Sequence, residues 1–296
     1  MQNRLFTSVE LPKSTLQIDH SAPLLLMGSC FAENIGKRLQ TGGFMCDINP
    51  FGVLYNPFSI ANALRQIMSG EKYHNGSTEL IYHEGYWHSM MHHSCFSAET
   101  KEECLAKINR RLDLAREIIC RAQCLVLTFG TAYVYLWSNE GNVVGNCHKL
   151  PERNFFRRRL SVEEIVEEYG TLIDILHRVN PSLQVLFTVS PIRHRRDGML
   201  ANQLSKSTLL LAVAEIIERC PQMFHYFPAY EIMMDELRDY RFYADDMVHP
   251  SPLAVEYIWE RFCTAFFDRK TTEKVTEWRK FEAAQRHRSI IDKVKS

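Results

Sequence analysis

The chain reads as an α/β protein built on a parallel sheet. Short apolar runs, Leu24–Met27, Leu125–Phe129 and Gln184–Val189, alternate with longer segments whose apolar residues recur at helical spacing. Each run is stopped by a turn residue: Gly28, Gly130 or the Ser190-Pro191 pair. No internal repeat or low-complexity linker divides the 296 residues, so one domain with insertions is the simplest organisation.

The first strand, about Leu24–Met27, runs into a helix from Cys30 to Gln40 with Ala32, Ile35, Gly36 and Leu39 on one face. Gly42-Gly43 ends that helix, and Phe44–Ile48 reads as a second strand. Pro50, Gly52, Asn56 and Pro57 mark an irregular loop before a helix at Ser59–Met68. Residues 70–97 break the alternation and read as a hairpin or excursion over one face. Thr100 with Glu103 has capping-box spacing, and Leu105, Ile108, Leu112, Ala115 and Ile119 continue that helix. After the Leu125–Phe129 strand, Tyr133–Trp137 and Val143–Val144 flank Asn139-Glu140-Gly141-Asn142 as a second hairpin. Ser161 with Glu164 caps a helix reaching Val179. A strand at Gln184–Val189, a helix at Ala201–Arg219 and a last strand at Met223–Phe227 follow. Tyr230–Leu237 is a short helix, and Ser251-Pro252 opens another through Phe267. The charged tail carries Val275, Trp278 and Phe281 on one stripe, which packs on the domain rather than forming a coiled coil. The division is therefore residues 1–270 as one domain and 271–296 as a helical extension.

Composition narrows the function classes. Thirty-five basic residues balance 35 acidic ones, so no global field invites nucleic acid or an anionic membrane. Two local runs stand out, Arg157-Arg158-Arg159 and Arg193-His194-Arg195-Arg196. Solvated loops are the plain reading of each, and an anion-binding rim the sharper one. No apolar run approaches bilayer length, and residues 1–10 have no apolar signal region. The nine cysteines, an odd number, then read as reduced thiols of a cytoplasmic protein, with Cys120 and Cys124 as core packing rather than a metal clip.

The stretch Gly28-Ser29-Cys30-Phe31-Ala32 carries the chemistry. A strand that turns at once into a helix presents free N–H groups and positive dipole character to developing negative charge. A serine there needs a base, and the base needs a partner that fixes its tautomer. Asp246-Met247-Val248-His249 supplies both, because the three-residue spacing lets the carboxylate reach Nδ1 while Nε2 faces the serine. The expected arrangement is one continuous hydrogen-bonded chain from hydroxyl to imidazole to carboxylate. The alternative is a helix cap for Asp246 and packing for His249. Cys30 is a rival nucleophile that is expected to turn toward the sheet. The histidines His83, His88, His92 and His93 raise a metal hypothesis, but no Glu follows His88, and the Gly, Ser and aromatic context favours a strand or loop. Tyr86, Trp87 and His93 read instead as the wall of an apolar or sugar-binding cleft, or as hairpin packing.

Gly28–Ala32 resembles the motif that names the GSCFA family, which is similar to the SGNH (GDSL-like) hydrolases. Asp246–His249 resembles the block in which those enzymes place their triad Asp and His. The resemblance extends through Asn49-Pro50-Phe51-Gly52, Asn56-Pro57, Thr128–Ala132, Asn146-Cys147-His148-Lys149, Ser190-Pro191 and Tyr240–Ser251. It implies a three-layer α/β/α sandwich with a five-stranded parallel sheet of flavodoxin-like topology plus hairpin insertions. It also implies acyl-ester hydrolysis by a serine, with no cofactor or metal, on a small-molecule or carbohydrate ester. Ser29, His249 and Asp246 take the nucleophile, base and orienting positions. For the oxyanion hole it implies the Ser29 N–H, the Gly52 N–H and an asparagine two residues after Gly130. That asparagine is absent, since the segment reads Gly130-Thr131-Ala132. Losing one such donor costs about 100- to 1,000-fold in rate. Asn56, Asn146 and His148 are the substitutes. A scaffold that binds a carbohydrate or acyl ligand without turnover is the second reading.

Overall fold

The computed structural model describes residues 7–12, 14–138 and 141–295. In chain order the elements are β1 (Leu24–Gly28), α1 (Cys30–Thr41), β2 (Cys46–Ile48), α2 (Pro57–Ser69), β3 (Leu80–His83), β4 (Tyr86–Ser89), α3 (Lys101–Ile119) and β5 (Cys124–Phe129). Then come β6 (Tyr133–Trp137), β7 (Phe155–Arg159), α4 (Val162–Val179), β8 (Gln184–Val189), α5 (Gly198–Arg219), β9 (Phe224–Phe227), the single turn α6 (Ala229–Glu231), α7 (Pro252–Phe266) and α8 (Arg269–Lys295).

Five strands form a wholly parallel sheet in the order β2-β1-β5-β8-β9. Alternate side chains along each strand point to opposite faces, and both faces are apolar. Leu25, Met27, Leu125, Leu127, Val185 and Phe187 pack against the buried stripes of α2 to α5. Leu24, Leu26, Cys124, Val126 and Leu186 pack against α1 and α7. The result is the three-layer sandwich. The chain leaves β1 toward β2 on one side and later enters β5 on the other, so the strand order reverses beside β1. In open α/β sheets a crevice opens at that reversal, beyond the carboxyl ends of the strands.

Capping residues fix the helix starts. Ser29, Asn56, Thr100, Ser161 and Ser251 each accept a backbone N–H from the first turn of the helix that follows. Only Ser161 and Glu164, of the two capping boxes expected, make both reciprocal bonds. Asp197 precedes α5 without a side-chain cap.

The hairpins differ in part from expectation. β3 and β4 pair antiparallel within the 70–97 excursion. Tyr133–Trp137 takes Phe155–Arg159 as its partner, in register from Tyr133↔Arg159 to Trp137↔Phe155, rather than Val143–Val144. The Val143–Val144 segment makes only the Leu136↔Val143 bridge and a Val144 N–H bond to the Tyr135 carbonyl. Two residues are too short to compete with a five-residue ladder that also stacks Arg157 on Tyr133 and Tyr135. Asn139 and Glu140 of the expected turn lie outside the described residues. The expected helix at Tyr230–Leu237 is the one turn of α6 followed by a π-helical turn at Ile232–Glu236.

In α8, Val275 is buried in the α1–α7 layer, while Trp278 and Phe281 on the same stripe remain partly exposed. Among the described residues no helix is long and apolar enough to cross a membrane.

Candidate active site

Gly28 ends β1 at a φ of 141° with its Cα against Thr128 of β5, and the chain then turns into α1. Ser29 occupies the turn. It is buried, its N–H donates to the Thr128 carbonyl at 3.2 Å, and its Oγ accepts the Phe31 N–H at 3.3 Å. The distant partner segment folds back on itself through the Tyr243↔Pro250 bridge and an Ala244 N–H bond to the His249 carbonyl. Met247 takes a left-handed φ of 60° in that turn. The turn lets one Asp246 oxygen accept the N–H groups of Val248 at 3.0 Å and His249 at 2.9 Å. The other carboxylate oxygen accepts the His249 Nδ1–H. These bonds, the backbone N–H of His249 first, hold the Asp246 carboxyl well below the usual carboxylate range. With Nδ1 donating to Asp246, His249 Nε2 is left as the acceptor.

Ser29, Cys30 and His249 line one cavity of about 540 Å³. The chain of bonds expected across it is made in its imidazole–carboxylate half. Among the described residues Ser29 and His249 share no hydrogen bond, and the Ser29 hydroxyl, an acceptor from the Phe31 N–H, keeps its own proton to donate. Catalytic hydrogen bonds often tighten only when substrate is bound. Cys30, expected to turn toward the sheet, faces the cavity instead, with Sγ 3.6 Å from the Tyr55 hydroxyl.

The other expected residues divide into two groups. Asn56 and Asn146 line the same cavity. Asn56 caps α2, accepting the Ser59 N–H and donating to Ser59 Oγ. Asn146 accepts the His148 N–H through Oδ1, so its amide nitrogen is the end left to donate. Gly52, Gly130, His148 and His93 are not brought to the cavity wall. The Gly52 N–H donates to the Asn49 carbonyl at 2.7 Å, and Gly52 and His93 border a separate cleft. The Gly130 N–H donates to the Tyr55 carbonyl at 2.7 Å. His148 is buried with Nδ1 on Ser94 Oγ and Nε2 on the Ser89 carbonyl. Tyr86 and Trp87 also lie outside the cavity, on the β3–β4 hairpin. His88 pairs with Ser97, and His92 pairs with Ser89 and stacks on Phe51. Among the described residues no three metal-ligating side chains come together.

Several wall residues were given no individual site role by the sequence. Tyr55, Tyr133 and Tyr135 give aromatic faces, and Thr131, Ser190 and His194 add polar ones. His194 Nε2 is buried without a partner among the described residues, and burial lowers its pKa to about 4. Beneath the floor, Lys206 of α5 is fully buried and donates at 2.7 Å to both the Gly130 and Ser190 carbonyls. It thereby ties together the carboxyl ends of β5 and β8. Burial, reinforced by the Arg193 charge, lowers its pKa to about 7. Its sequence signal is a lysine on the same helical face as Leu209, Val213 and Ile216.

Solved structures similar to the chain include three carbohydrate-active proteins. A carbohydrate esterase of family 3 from Talaromyces cellulolyticus is 9% identical, with 86% of this chain and 99% of that one covered and a TM-score of 0.39. An acetyl xylan esterase from the rumen bacterium Butyrivibrio proteoclasticus is 11% identical over 83% of this chain and 63% of that one, with a TM-score of 0.41. A family two carbohydrate esterase from Clostridium thermocellum, in complex with cellohexaose, is 10% identical over 83% of this chain and 64% of that one, with a TM-score of 0.39. No curated protein matches the chain. The model of the GSCFA family matches residues 23–262, which span the sheet, both segments of the cavity and α7 up to Phe262, and the chain belongs to that family.

Proposed function

We propose that the protein is a serine hydrolase acting on an acyl ester, with acylated carbohydrates as the favoured substrate class. The observation that carries this is the Asp246–His249 pair facing the cavity that Ser29 also lines. In the reaction, Ser29 Oγ attacks the ester carbonyl while His249 Nε2 takes its proton. Asp246 holds the ring and balances the imidazolium that forms. His249 then returns the proton to the leaving alkoxide, and water releases the acyl group by the same route in reverse. Asn146, which lines the same cavity, serves in this reading as the side-chain donor to the oxyanion. The Ser29 and Gly52 N–H groups, which the family resemblance implies, are both committed to carbonyls in the resting structure.

A serine-directed fluorophosphonate is expected to label wild-type protein on Ser29, read by mass spectrometry of peptides. Ser29→Ala abolishes the adduct, His249→Asn slows its formation, and Cys30→Ser leaves it intact. Folded protein that takes no adduct from several such reagents contradicts the reading. The lack of a Ser29–His249 hydrogen bond among the described residues favours a second reading, a scaffold that binds its ligand without turnover. A panel of acetylated sugars that raises the melting temperature without releasing acetate supports that one instead.

A further inference from the structure

The cavity that holds Ser29 and His249 is strongly cationic in a chain with no net charge. Arg157, Arg193, Arg195 and Arg196 line it, against the single carboxylate of Asp197. They come from the two arginine runs, one on β7 and the other on the loop after β8.

The four guanidinium groups are not equally neutralised. Arg157 is held by Asp197 in a bidentate pair and lies over Tyr133, 4.1 Å from the ring centre. Among the described residues Arg196 has Glu152 as its carboxylate partner, at the solvent-exposed rim where an ion pair is worth little and exchanges readily, and it lies over Tyr135, 5.4 Å from the ring centre. Arg195 donates to the backbone carbonyl of Asp246 and has no carboxylate partner among the described residues. Arg193 has a buried Nε with no acceptor among the described residues. Its charge adds to that of Lys206 below. Arg193 is half-buried without a carboxylate partner among the described residues, which is costly to maintain, and an anion in the cavity relieves that cost. Arginine forks fit planar or tetrahedral oxyanions by paired hydrogen bonds. A low-dielectric cleft lined by one sign of charge also concentrates ligands of the other. The aromatic faces of Tyr55, Tyr133 and Tyr135 stand on the same wall and suit the flat side of a ring.

We propose that this cavity takes an ester whose alcohol part bears a negative charge, a carboxylate or a phosphate, held by Arg193 and Arg196 while the acyl group meets Ser29. The ester part of this statement rests on the hydrolase reading; the anion part does not. Asp197 stays with Arg157, so the substrate's charge falls to the arginines that lack a strong partner. Arg193 and Arg195 also border the adjoining cleft beside Tyr240 and Tyr243, which gives a longer anionic substrate a second surface to follow.

Three probes test it on the full chain: O-acetylated glucose, O-acetylated glucuronate and O-acetylated glucose 6-phosphate. At low ionic strength kcat/KM for at least one charged ester is expected to exceed that for the neutral ester by about tenfold or more. The charged arm that wins separates carboxylate from phosphate. Raising salt to about 0.5 M shrinks the preference, because the attraction is screened. Arg196→Gln, at the exposed rim, and Arg193→Gln each lower the charged-ester rate several-fold more than the neutral-ester rate. A neutral ester hydrolysed as well as both charged ones overturns the proposal, as does a preference that both variants retain. If none of the three esters is cleaved, the hydrolase reading fails and the anion site is read by calorimetry. Glucuronate or glucose 6-phosphate binding to Ser29→Ala protein more tightly than glucose then sustains it. Equal or absent binding overturns it.

Discussion

A Cβ added to Gly28 falls 2.2 Å from the Thr128 carbonyl oxygen, at a backbone angle that side chains other than hydrogen rarely adopt. Gly28→Ala must therefore push β1 away from β5 at the point where Ser29 leaves the sheet. The expected cost is about 3 kcal/mol or more, read as a fall in the urea midpoint. A variant as stable as wild type contradicts the close approach. The turn at Ser29 and the Asp246–His249 pairing were legible because each is local: a strand running into a helix, and a carboxylate three residues from an imidazole. The state of the N–H groups expected to bind an oxyanion was not. Whether an N–H is free depends on which carbonyl the fold brings to it, and Asn49, Tyr55 and Thr128 claim those of Gly52, Gly130 and Ser29. Lys206 was equally hidden, since only tertiary packing shows that its ammonium ends on two strand-terminal carbonyls.

Among the elements, the parallel strands were readable from apolar runs bounded by turn residues, and α3, α4 and α7 from their caps. The β6–β7 hairpin was not, because FFRRR has no apolar alternation. Its strand character comes from pairing with β6 and from stacking of Arg157 on the tyrosines of that partner. The Arg157–Asp197 pair then links this hairpin to the residue preceding α5. Both side chains are largely buried, so neither is neutral to lose alone. Arg157→Ala and Asp197→Ala are each expected to cost about 1–3 kcal/mol, and the double variant less than their sum by about 1 kcal/mol or more. Additive costs in a denaturation cycle argue that the two act separately.

For the molecule as a whole, buried imidazoles set the acid limit. Burial lowers the pKa of His92 to about 3 and those of His148 and His194 to about 4, against 6.5 for an ordinary histidine. Between those values the unfolded chain binds protons that the folded chain refuses, so stability is complete above about pH 6.5 and falls as pH drops toward 4. Melting temperatures across that window are expected to decline, and less steeply in His92→Gln. A flat profile contradicts the buried neutral rings. The two halves of the cavity also differ in how they are mounted. Asp246 and His249 ride together on one exposed tight turn, whereas Ser29 is seated at the end of an interior strand. Any displacement of that turn therefore carries Asp246 and His249 as one unit, so their distance from Ser29 is set at the solvent edge rather than within the sheet.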